Sequence, residues 1–186
     1  MLTFDEALRL DAWALELIGD DVATVDRSSW HRPTPCAGWS VADLVDHMTT
    51  EHLRWAGGPR PDGDRAAGFR AVAARWLAHF TQQGEGPVRV PGTGEERPAA
   101  LVVAVHVADM VVHRWDLAAA LGRTSVVPGP LLEAAQAVGA VATAPSSPLV
   151  GAGRAYEPAL PPEAGDPPLA SLLRRYGRDP GWRPGS

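Results

Sequence analysis

Three ionisable side chains share one face of the most apolar stretch of this 186-residue chain. In HVADMVVHRWD, His106 to Asp116, a helix turning about 100° per residue brings His106 and His113 almost into line, with Asp109 within about 60° of both. The surrounding positions are mainly Val, Ala and Leu. Burying such groups without partners costs several kcal/mol. They must therefore hydrogen-bond one another, or share a cation that neutralises the carboxylate and takes up imidazole lone pairs. Asp109 and His113 stand four apart, the spacing at which two helix side chains chelate one ion. A third ligand has to come from elsewhere, and His47 in SVADLVDHMTTEH falls near the stripe of Leu44 and Met48, so it can point inward. One His from one helix with a carboxylate and a His from another leaves positions open for water or substrate, the arrangement of catalytic zinc. The competing arrangement is an intrahelical Asp109–His113 hydrogen bond with His47 as a satisfied core histidine; spacing alone leaves both standing.

Other reactive side chains offer less. His52 and His79 read as surface or loop-edge residues, and His31 as a loop residue. Glu51, one turn after His47, is either solvated or an acid beside the ligands. Trp39 and Trp115 read as core aromatics, Trp39 with a lesser claim to line a cavity. Cys36 in TPCAGWS reads as packing in a loop. As the single cysteine it permits no internal disulfide.

The elements that must position these groups are helices. Residues Thr3 to Val25 carry a broad apolar stripe (Leu8, Leu10, Trp13, Leu15, Leu17, Ile18), with Asp5 and Glu6 at the positive end. Pro33 and Pro35 make 28–38 a loop. Ser40, with Asp43 three residues on, resembles a capping box and opens a helix that Gly57, Gly58 and Pro59 close. A third helix is predicted from Asp64 to Gln83, then a long connection to Pro98 with an extended piece around Val88 to Val90. Pro98 suits the first turn of a central helix, Ala99 to Leu121. A weaker helix follows from Pro128 to Ala142, then a Pro- and Gly-rich stretch from Ala144 to Pro168, a short helix from Leu169 to Tyr176, and a final GRDPGWRP. The expected architecture is all-α: one domain over 1–186, a bundle with an extra helix and a loop-rich, wrapping C-terminal extension over 144–186.

Composition excludes several classes of function. The net charge of −5 offers no basic field for nucleic acid or anionic lipid. No apolar run is long enough to span a bilayer. The N-terminus has acids before any apolar stretch and no basic segment, so it does not read as a secretory signal, and a cytoplasmic location is expected. All 17 basic residues are Arg, Asn is absent, and Ile18 is the single Ile. That skew reads as codon bias in a GC-rich genome and removes Arg counts as a functional signal.

Longer segments are familiar. PTPCAGWSVADLVDHM (Pro33–Met48) resembles the N-terminal signature of the mycothiol-dependent maleylpyruvate isomerase-like metal-binding proteins of actinobacteria, within the DinB superfamily of four-helix metalloenzymes. VADMVVHRWDLAAALG (Val107–Gly122) resembles the family's second signature, a carboxylate, three residues, then His-x-Trp-Asp-Leu-Ala. Arg154–Trp182 is similar to the C-terminal stretch of one subgroup. The resemblance implies a four-helix bundle of DinB type, up-down-down-up. It also implies a divalent metal on His47, Asp109 and His113, with Zn²⁺ first and Ni²⁺ or Fe²⁺ as alternatives. Asp109 stands where the family has Glu, which retracts the carboxylate by about 1.5 Å. His106, on the same face, is then an alternative ligand or a proton shuttle, while Trp39 and Glu51 are candidate substrate-binding residues. The implied activity is transfer or isomerisation with a low-molecular-weight thiol such as mycothiol, acting on a small electrophile. The family's known isomerase carries an additional C-terminal domain, so a non-catalytic module that keeps the metal or small-molecule pocket is the alternative. A homodimer is compatible with an exposed apolar helix face.

Overall fold

A computed structural model describes residues 2–151 and 154–185. Six helices occupy the expected places: α1 (Phe4–Ala23), α2 (Val41–Ala56), α3 (Arg65–Gln83), α4 (Ala99–Ala120), α5 (Gly129–Ala142) and α6 (Pro168–Arg175). Their ends follow from local chemistry. Thr3 with Glu6, and Ser40 with Asp43, form reciprocal capping boxes at α1 and α2, and the Asp64 carboxylate accepts from the Ala67 N–H at α3. Gly57 and Gly84 close α2 and α3 in positive-φ conformations. The extended piece foreseen around Val88 is strand β1 (Pro87–Arg89), paired antiparallel with β2 (Glu96–Pro98) in a small hairpin that leads into α4.

The contacts fix the helix directions. Along α1 and α4, Asp11 meets His106 and Asp21 meets Arg114, so the two run parallel. His47 meets His113 and His52 meets His106, so α2 opposes α4. Asp11 meets Trp76 and Asp20 meets Arg70, so α3 opposes α1. Asp46 meets Arg65 while Trp55 meets Phe80, so α2 and α3 are parallel. The order is up, down, down, up. Two parallel neighbours need a connection that runs the length of a helix. The 16 residues of α2 span about 24 Å, within reach of an extended Gly57–Asp64 segment at about 3.3–3.6 Å per residue. Arg60 pins that segment to the Asp46 carboxylate and carbonyl and to Thr50.

The core is a column of fully buried side chains, among them Ile18, Leu44, Met48, Phe69, Phe80 and Leu117. The buried line of α1 differs from the expected stripe. It keeps Leu15 and Ile18 but runs mainly through Phe4, Ala7, Asp11, Ala14 and Val22, while Leu8, Leu10 and Leu17 are only partly buried and Trp13 is 37% exposed. Seven-residue steps from Phe4 to Asp11 to Ile18 set this face, and an acid occupies its middle. Helix α5 packs on α4, α6 packs on α5, and Leu172, Leu173 and Tyr176 join the core. Among the described residues no helix is long and apolar enough to cross a membrane.

Candidate metal centre

Helix α4 presents His113 between two carboxylates of its own helix. The ring Nδ1–H donates to Asp116 Oδ2 at 3.0 Å, three residues on, and Nε2 faces Asp109 Oδ2 at 3.6 Å, four residues back. From α2, the His47 ring stands edge-on to His113 with centroids 5.5 Å apart. The Trp39 ring, 4.7 Å from the His47 ring, walls the outer side. Trp39 is placed by a locked loop. Its N–H bonds the Cys36 carbonyl, its own carbonyl accepts from the Thr34 N–H and Oγ1, and Val41 N–H bonds Arg32 O. The site is graded in exposure: the His113 side chain is 7% exposed and that of Asp109 25%, and an open cleft borders His47 and Trp39.

Charge follows from these neighbours. Burial pushes the His113 ring toward neutrality, but the Asp109 charge and the Asp116 hydrogen bond outweigh it and hold the ring well above the usual histidine range. His47 goes the other way, lowered by burial and by the nearby His113, so its ring keeps a free lone pair. Burial also opposes ionisation of Asp116, yet the His113 hydrogen bond and the Arg178 charge hold its carboxyl below the usual range. Burial and the Asp109 charge raise the Tyr156 hydroxyl.

The donor set suits a divalent ion. Nδ1 of His113 is committed to a carboxylate, which fixes the ring and would leave Nε2 available to coordinate, the usual outer support of a metal-bound histidine. A cation binding at Nε2 would take the place of a proton on that nitrogen. His47 adds a neutral imidazole and Asp109 an anionic oxygen. The fit requires some closure: among the described residues, the one group of three ligand types whose atoms all lie within 4.8 Å of one another is Cys36, His113 and Asp116, not His47, Asp109 and His113.

The other expected site residues lie apart. His106 sits two turns from His113 with both nitrogens engaged, Nδ1 with Asp11 Oδ1 at 2.6 Å and Nε2 with His52 Nε2 at 2.8 Å. Glu51 is paired with Arg54 on the surface. His52 overturns its surface reading: it is fully buried against Phe69, Trp76 and His106. Its position four residues after Met48 on the buried face of α2 was the available signal, masked by its polar neighbours. Asp116, Cys36, Tyr156 and Arg178 were not foreseen as site residues. Asp116 alone had a signal, as an acid within an apolar helix one turn from His113.

Comparisons with known proteins agree with the resemblance read from the sequence. Residues 13–74 match the family model of the Mycothiol maleylpyruvate isomerase N-terminal domain, a stretch that holds His47 but ends before Asp109 and His113. Two uncharacterized proteins of Mycobacterium tuberculosis, MT0763 of strain CDC 1551 / Oshkosh and Rv0738 of strain ATCC 25618 / H37Rv, are each 36% identical over 103 residues. The aligned stretch covers 50% of this chain and 55% of theirs, so the chain matches about half the length of these relatives. The crystal structure of the mycothiol-dependent maleylpyruvate isomerase superposes with a TM-score of 0.52 at 18% identity, covering 74% of this chain and 71% of that one. The crystal structure of a histidine-to-alanine mutant of that isomerase gives 0.53 at 16% identity with the same coverage. At that identity the likeness is one of fold.

Proposed function

We propose that this chain holds one divalent ion, zinc before nickel or iron, on His47, Asp109 and His113. With it the chain acts on small electrophiles as an isomerase or S-transferase that uses a low-molecular-weight thiol of the mycothiol type. The observation that carries this reading is the pinned ring of His113, whose Nε2 faces Asp109 with the hydrogen bond to Asp116 on its far side and the His47 ring edge-on beside it. The matched family and fold supply the thiol chemistry.

When bound, the ion would act as a Lewis acid that lowers the pKa of a coordinated thiol and leaves a position open for it. The rest is done by the chain. His47, kept neutral by burial, offers its lone pair without first losing a proton. Asp116 holds the His113 ring in one orientation. Trp39 screens one side of His47 from water. The single cysteine, Cys36, is buried and engaged by Asp116 and Arg178, which fits a nucleophilic sulfur that arrives with the thiol. The same reading places the protein in the cytoplasm, where such thiols are kept reduced.

The test is a purified, tag-free protein assayed with mycothiol and an electrophile, with and without chelator, after measurement of zinc content. A rate that chelator abolishes and zinc restores supports the reading. Equal rates in both arms discard it. A second reading, a binding module without turnover, is favoured by the looser spacing of His47 and by Asp in place of Glu. Tight zinc binding with no thiol affinity by calorimetry would select it.

A further inference from the structure

The C-terminal tail reaches into the centre of the molecule at one point. After α6 the chain turns at Gly177, where Arg178 N–H bonds Leu173 O and Gly177 N–H bonds Arg174 O, the closing pattern of a helix that ends on a left-handed glycine. This aims Arg178 at the buried end of α4. Its Nε donates to Asp116 Oδ1 at 3.0 Å and Nη2 to Oδ2 at 3.2 Å, a two-point fork. Nη2 also lies 3.1 Å from Cys36 Sγ, and the Cys36 thiol donates to Asp116 Oδ2 at 3.3 Å. Nη1 closes on the Tyr176 carbonyl.

Cys36, His113 and Asp116 bring three metal-ligand types together, but the guanidinium lies against both the sulfur and the carboxylate. A cation placed there would face a fixed positive charge. The cluster serves another purpose. Asp116 is fully buried, and a buried carboxylate with neutral donors alone is held at high cost. Arg178 supplies the opposite charge and a planar fork, so Asp116 stays ionised and fixed, with Oδ2 facing His113 Nδ1.

We propose that Arg178 is a positioning residue for the metal centre: by clamping Asp116 it fixes the His113 ring so that Nε2, and not Nδ1, faces His47 and Asp109. Through Arg178, 62 residues away in sequence from the carboxylate it holds, the C-terminal tail is then part of the site. The consequence for metal binding rests on the reading of His113 as a ligand. The orientation of the ring does not.

Two measurements separate these. Zinc affinity of tag-free protein is measured by competition with a chromophoric chelator for the wild type, Arg178→Ala and Arg178→Lys. In parallel, the His113 Nδ1–H proton of the metal-free proteins is followed by nitrogen–proton NMR. The wild type is expected to show a slowly exchanging, downfield Nδ1–H. Arg178→Ala should lose it and bind zinc about 10–100-fold more weakly, the usual cost of an outer partner, with an unchanged helical circular dichroism. Arg178→Lys, which keeps the charge but not the fork, should recover part of both. If Arg178→Ala does not fold, Arg178→Lys against the wild type decides. Wild-type zinc affinity together with an unchanged His113 proton in the variants overturns the proposal. A wild type that binds no zinc, with a His113 proton that still depends on Arg178, overturns the metal reading and upholds the positioning role.

Discussion

His52 Nε2 of α2 lies 2.8 Å from His106 Nε2 of α4, deep in the bundle. His106 Nδ1–H continues the line to Asp11 Oδ1 of α1, and Asp11 Oδ2 accepts from the Trp76 indole N–H of α3 at 2.7 Å. Each of the four bundle helices contributes one residue. The Trp76 and His106 rings stack at 4.0 Å, so packing and hydrogen bonds fix the same geometry. Polar networks of this kind are demanding, because each member left alone in low dielectric costs more than its bond contributed. Such a chain specifies which residues of the four helices lie level with one another, and it sets the height at which His47 faces His113.

Asp11→Ala is therefore expected to cost at least about 2 kcal/mol, since each buried donor left without its acceptor costs about 1–3 kcal/mol. His106 and the Trp76 N–H would both lose their acceptor. Urea unfolding at neutral pH measures it. A cost under about 1 kcal/mol, the range of a surface change, would mean that the network does not hold the bundle together.

The acid side of the stability curve follows from the same cluster. Burial, then the His106 and His47 charges, hold His52 well below the usual histidine range. His52 packs against His106, Phe69 and Trp76, with its Nδ1 unpartnered. In the unfolded chain His52 takes a proton near pH 6.5, whereas in the folded protein it stays neutral there. Below about pH 6.5 the unfolded state binds the extra proton, and stability falls with pH by up to about 1.4 kcal/mol per unit for each such group. His47 acts in the same direction. His113, raised in the folded protein, is protonated in both states in this window and adds no slope. Metal-free His52→Gln should show a flatter stability profile between about pH 6.5 and 4.5 in urea titrations. An identical slope would remove His52 from the account.

The helices were legible because their punctuation is chemical and local. Thr3 with Glu6, Ser40 with Asp43, Asp64, and the glycines at 57 and 84 mark ends within a residue or two. The facing of Asp109 and His113 followed from helical spacing, and that of His47 from its stripe. His52 was missed because Glu51 and Arg54 beside it suggested a solvated face, and Asp11 because an acid was not sought on the apolar side of its helix, although both fall in step with buried positions of their helices. Arg178 was beyond reach. It meets Cys36 across 142 residues through a tail without periodicity, and in a chain whose basic residues are all Arg it stands out in no way.

Substitution at His47 separates binding from folding. The ring is half-buried and touches Trp39 and His113 through ring contacts. His47→Ala should leave the melting temperature nearly unchanged. It should weaken zinc by more than the roughly 100-fold upper range of an outer partner. Asp109→Glu restores about 1.5 Å of reach, and zinc affinity should equal or exceed that of the wild type. If Asp109→Glu binds as weakly as Asp109→Ala, the carboxylate at this position is not a ligand.

Gly177 tests how the tail reaches the site. Its φ of +72° is a conformation that costs a residue with a side chain about 1–2 kcal/mol. An added Cβ would also stand 2.8 Å from Glu157 Cβ and 3.1 Å from the Pro158 carbonyl. Neither neighbour can yield cheaply, since one is the root of a side chain and the other is backbone. Gly177→Ala should lower the melting temperature by roughly 2–8 °C, at about 2–4 °C per kcal/mol for a chain of this size. Because the strain falls on the bond into Arg178, the fork on Asp116 should slacken, and zinc affinity should fall in the same direction as in Arg178→Ala. Gly165→Ala is the control: it carries a similar positive φ with open space around its Cβ, and should show the backbone cost alone. Equal zinc affinities in the two alanine variants would show that the turn at Gly177 does not govern how Arg178 holds Asp116.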